Sequence, residues 1–126
     1  MLKGEGLDMN DQTATIRELK EQVLSLCRRK GWGKDGVQNP QHVAMAMTVE
    51  MSELLEHFQW LDPEDVARLL DGQDEARKSQ IAEEFADVMM YGLQLAYSLN
   101  IDVTSEILRK IAIVDQRKPK DAQPHN

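Results

Sequence analysis

Two pairs of acids pose the first chemical question. Glu50 and Glu53 lie within "VEMSELLEHFQW", and Glu84 and Asp87 within "AEEFADVMMYGLQLAYSL". On a helix, residues three apart are separated by about 60° around the axis, so each pair projects from one face. Both neighbourhoods are apolar: Met51, Leu54, Leu55 and Phe58 adjoin the first pair, while Gln94 and Ser98 are the only conventional polar side chains between Asp87 and Asn100. Ionised carboxylates at the edge of a core cost several kcal/mol unless they are compensated, and four gathered together also repel one another. No run of Lys or Arg faces them on either segment. The economical counter-charge is a divalent cation with oxygen ligands, Mg2+ or Mn2+ before Zn2+, because cysteine and paired histidine ligands are missing. Glu50, Glu53, Glu84 and Asp87 are therefore the candidate metal ligands, whereas Glu56 points more outward.

Other metal chemistries fit the residues less well. A di-iron carboxylate bundle needs Glu-x-x-His twice, and the residue three before His57 is Leu54. Neither the zincin pattern nor an Asp-rich EF-hand loop occurs. His42 and His125 read as surface residues, and Cys27, in "LSLCRRK", as a buried helix residue rather than a nucleophile.

The elements that must position these acids read as helices throughout, since period-2 alternation of β-branched residues is missing. A first helix is predicted over 13–30, with Ile16, Leu19, Val23, Leu24 and Leu26 as its apolar stripe and "KGWGKDG" ending it. Asn39 before Pro40 predicts an N-cap and a second helix running to Trp60. Asp62 before Pro63 repeats the device and opens a short connecting helix. A third long helix is predicted over 75–99, followed by a fourth that Asp102 caps and that stops before Pro119. The fold class is all-α, resembling a four-helix bundle with a short connecting helix. Residues 1–12 and 119–126 read as flexible tails around a domain at 13–118.

Composition narrows the function. The 126 residues carry 15 Lys and Arg against 22 Asp and Glu, a formal charge of -7, which disfavours a nucleic-acid backbone as partner. No apolar run is long enough to cross a membrane, and a lone cysteine forbids an internal disulfide; both predict a cytoplasmic protein. The third long helix is too apolar for the others to cover while leaving a substrate cleft, so a homo-oligomer is expected.

With the acid pairs, the flanking "FQW" and Tyr91 one turn after Asp87, the chain resembles the MazG-like all-α nucleoside triphosphate pyrophosphohydrolases, in particular their short single-domain branch with dCTP pyrophosphatase activity. The resemblance covers roughly residues 15–118. It implies magnesium-dependent hydrolysis of a nucleoside triphosphate to the monophosphate and pyrophosphate, carried out by a homodimer or homotetramer. It assigns Glu50, Glu53, Glu84 and Asp87 to metal, with Glu53 or Glu50 orienting or deprotonating the attacking water. It further implies that Trp32 and Trp60 wall a base pocket, that Tyr91 packs on the sugar, and that Lys110 contacts phosphate. Three positions depart from the family pattern: Val49 stands where many members have a second acid, Val114 where an Asn often follows Lys110 by four residues, and the first helix lacks a histidine. Two rivals remain: a non-catalytic helical module that binds nucleotide or protein, and a hydrolase of phosphoribosyl-ATP or a dUTP-like substrate on the same scaffold.

Overall fold

The computed structural model describes residues 8–117, and within them the chain forms five helices. These are α1 (Ile16–Lys30), α2 (Pro40–Glu56), α3 (Pro63–Leu70), α4 (Glu75–Ser98) and α5 (Val103–Asp115). The all-α expectation is met. Most of the two tails, and His125 with them, lies outside the described residues; Asn10 and Thr13, just before α1, close a turn in which Asn10 N–H donates to Thr13 Oγ1 at 2.8 Å.

Local chemistry explains where the helices begin. Thr15 caps α1 through a reciprocal pair: its hydroxyl accepts from the Glu18 N–H at 3.1 Å, and the Glu18 carboxylate accepts from the Thr15 N–H at 2.9 Å. The start therefore falls at Ile16 instead of Thr13. Asn39 caps α2 by accepting from the Gln41 N–H at 2.8 Å, with Pro40 in the first turn where no N–H is needed. Asp62 caps α3, Asp74 α4 and Asp102 α5 in the same way. Gly31 ends α1 in a left-handed conformation (φ 70°), which glycine adopts without strain. At Gly33 (φ 68°) an added Cβ would stand 2.4 Å from the Val37 carbonyl oxygen, so the loop closed by the Lys34–Val37 bridge accepts no side chain there.

One departure concerns the end of α2. The helix stops at Glu56, four residues before Trp60, and residues 57–60 form turns in which the Phe58 N–H donates to the Leu55 carbonyl at 2.9 Å. Leu61 and Asp62 must leave the helical region to cap α3 ahead of Pro63, and the unwinding prepares that exit.

α4 is the central helix. It packs most extensively on α2, then on α1, and more lightly on α3. Gly92 brings α2 close, since a Cβ there would sit 3.4 Å from the Met47 terminal methyl. Val23, Cys27 and Leu93 form the core cluster, with Ile16, Met90 and Val103 packed against it. Leu24, Val43, Val88 and Ala96 are also buried. Gln38 donates to the Gln94 side-chain oxygen at 2.6 Å and so ties the loop after α1 to α4. Lys20 Nζ donates to the Ile101 carbonyl at 2.7 Å, fastening the α4–α5 turn to α1.

Candidate active site

The α2–α4 interface carries both acid pairs. Carboxylate oxygens of Glu50, from α2, and of Glu84 and Asp87, from α4, all lie within 4.8 Å of one another. Glu50 and Glu84 are half-buried, Asp87 exposed. Glu53, one turn after Glu50, is more exposed, and its charge bears on both Glu50 and Glu84.

The electrostatics are those of crowded like charges. The Glu50 carboxyl is held above its ordinary value of 4.5, first by burial and then by its contact with Glu53 and the charges of Glu53, Asp87 and Glu84. Glu84 is raised as well, first by burial and then by Glu53 and Asp87; His57 pulls in the opposite direction, its Nε2 4.0 Å from Glu84 Oε1. One oxygen of each half-buried acid, Glu50 Oε2 and Glu84 Oε2, is buried with no hydrogen-bond partner. Orphaned carboxylate oxygens inside a like-charged cluster fit a divalent cation with oxygen ligands, which would supply the missing partner and the missing charge together. The donor set is all-oxygen, so it suits Mg2+ or Mn2+ better than Zn2+.

The remaining predicted site residues are distributed around this centre. Tyr91 follows Asp87 by one turn of α4 and is half-buried. Trp32 sits in the loop after α1 and is 45% exposed, while Trp60, in the turn after α2, is 85% exposed. Lys110 is exposed on α5, which packs closely on neither α2 nor α4. The structure thus brings Glu50, Glu84 and Asp87 together, sets the exposed Glu53 one turn further along α2, and leaves Lys110 on a separate element. His57 was not among the predicted site residues, although its spacing four after Glu53 already placed it on the same side of α2.

The widest hollow among those described, about 770 Å³, lies elsewhere, between the turn before α1, α1 itself and Thr104; Ile16 and Leu19 line it and none of the four acids does. A second of about 670 Å³ adjoins it near Arg17, Lys20 and the start of α5. Size alone does not mark the chemistry here, because neither hollow gathers groups whose ionisation is pushed upward as at Glu50 and Glu84.

Comparison with known proteins follows the same line. Human dCTP pyrophosphatase 1 is 26% identical over 106 residues, which cover 83% of this chain but 59% of that protein. The chain thus spans about three fifths of the length of that curated relative. No solved structure matches. The MazG-like family model matches residues 45–123, well over half of the chain and including both acid pairs, and the chain belongs to the MazG-like family.

Proposed function

We propose that the protein is a divalent-metal-dependent hydrolase that converts a nucleoside triphosphate to its monophosphate and pyrophosphate, with Mg2+ as the working ion and Mn2+ as a substitute. The observation that carries this reading is the convergence of Glu50, Glu84 and Asp87 across α2 and α4, with two buried carboxylate oxygens left unpartnered. Family membership and the similarity to human dCTP pyrophosphatase 1 support the substrate class, a dCTP-like or modified deoxynucleotide.

In this reading Glu50, Glu84 and Asp87 hold the cation, and Glu53 completes the set from the exposed side. A bound divalent cation neutralises phosphate oxygens and lowers the pKa of a coordinated water. Glu53, the acid least enclosed of the α2 pair, accepts the proton of the water that adds across the bridge between the α- and β-phosphorus. Trp32 and Trp60, both exposed, are available to stack on the base, a contact of about 1–3 kcal/mol each. Tyr91 packs on the sugar.

The working form is a homo-oligomer. Ile107, Leu108 and Ile111 of α5 are each more than half exposed, as are Phe85 of α4 and Met45 and Val49 of α2. A second copy covering them would remove exposed apolar side chains from water. Lys110 shares α5 with that surface, so its contact with phosphate is made where the copies meet. The single cysteine, buried at 0% exposure, is consistent with a reducing, cytoplasmic setting.

Phosphorus NMR of the products from a panel of canonical and modified triphosphates, with and without Mg2+, tests this function. Monophosphate and pyrophosphate formed only with the ion are expected; diphosphate and phosphate, or no turnover of any substrate, would overturn it.

A further inference from the structure

The cluster has a neighbour of a different kind. His57 is the residue at which α2 ends, and its backbone N–H donates to the Leu54 carbonyl at 3.1 Å. Its side chain is 25% exposed and that of Glu84 26%, so the pair is largely shielded from water. The ring nitrogen Nε2 faces Glu84 Oε1 at 4.0 Å, whereas Glu84 Oε2 is buried and has no hydrogen-bond partner. The two oxygens of one carboxylate are therefore turned to different tasks.

We propose that His57 is a positioning residue for the metal centre: its Nε2–H holds Glu84 Oε1 and thereby presents Oε2 to the cation. The inference rests on the metal reading above and adds a residue to it. The separation of 4.0 Å is longer than a hydrogen bond, and a small rotation of either side chain closes it; such contacts commonly tighten once a site is loaded. A neutral imidazole with its proton on Nε2 has the N–H needed to donate this bond, so the role does not require a charged ring. Partners of this kind, one step removed from the ion, fix the rotamer of a ligating carboxylate, and their loss typically weakens metal binding 10- to 100-fold. His57 belongs to neither acid pair. It lies four residues after Glu53 on the same side of α2, and the packing of α4 sets Glu84 beside it.

The test is Mn2+ binding to the intact protein, followed by electron paramagnetic resonance without substrate, for the wild type, His57→Leu and His57→Gln, with helicity checked by circular dichroism. The Leu variant is expected to bind Mn2+ about 10-fold or more weakly. The Gln variant, which keeps an N–H donor, is expected to recover most of that loss. With saturating metal, kcat of the Leu variant is expected to stay near wild type while the Mn2+ concentration for half-maximal rate rises. Unchanged affinity in the Leu variant overturns the proposal, and so does a Gln variant as weak as Leu, which would make the ring itself a ligand. A wild type that binds no Mn2+ sinks the metal reading and this inference with it, whereas binding that the variants leave untouched sinks this inference alone.

Discussion

At the scale of single residues, the behaviour of Glu50 and Glu84 follows from burial and crowding, and it gives the site a pH signature. A carboxyl whose pKa is raised by folding favours the folded state below its ordinary value, here 4.5, and that contribution is lost as pH rises through the raised value. In EDTA, Glu50→Gln should therefore melt higher than wild type at about pH 7.5, and the difference should vanish near pH 4, where the wild-type acid is protonated. Mg2+ should reverse the order at pH 7.5 by stabilising the wild type and leaving the variant unmoved. Thermal melts of the two proteins with and without Mg2+ check both statements. The proposed role of Glu53 as base separates it from its neighbour Glu56. Loss of the base predicts that Glu53→Gln lowers kcat about 100-fold or more with helicity intact, while Glu56→Gln stays within about twofold. Equal rates in the two variants would mean that the wrong face of α2 has been assigned.

Among the elements, α2 and α4 position the chemistry, and α2 depends on its cap. Asn39→Ala removes the acceptor for the Gln41 N–H and should cost about 1 kcal/mol, read as a shift in the urea midpoint with an unchanged slope. Caps of this kind made most of the helix starts legible in sequence: Asn39–Pro40 and Asp62–Pro63 stand where the structure begins α2 and α3. The Thr15–Glu18 pair was equally readable and places the start of α1 three residues after the apolar pattern alone suggested. The end of α2 was harder, because the apolar pattern runs on through Phe58 and Trp60 while the need to reach Asp62 in an extended conformation unwinds the helix. For the site, spacing identified both acid pairs. It did not identify which member of each pair turns inward. That depends on how far α2 is rotated against α4, a tertiary property set by contacts such as Gly92 against Met47. The nearness of His57 to Glu84 has the same origin, since spacing places His57 on the acids' side of α2 but only the packing of a distant segment brings Glu84 to it.

For the whole molecule, the balance of buried and exposed apolar groups argues for association. Seven apolar side chains are buried in the core, while nineteen large ones are substantially exposed among the described residues. α5 contributes Ile107, Leu108, Ile111 and Ile113 to the exposed set, and no other described helix packs closely on it. In the proposed homo-oligomer this face is covered by a second copy, and a charge placed at its middle is costly to bury. Leu108→Asp should shift the protein toward monomer in sedimentation experiments at micromolar concentration, with wild type remaining associated. No helix of the described residues is long and apolar enough to cross a membrane. The acid cluster nevertheless decides the account. Its most direct test is an anomalous difference map from crystals soaked in Mn2+ with a non-hydrolysable triphosphate analogue. A strong peak bonded to oxygens of Glu50, Glu84 and Asp87, with the phosphates on its far side, is the predicted result. Mn2+ bound elsewhere, or a triphosphate seated away from these carboxylates, would contradict it.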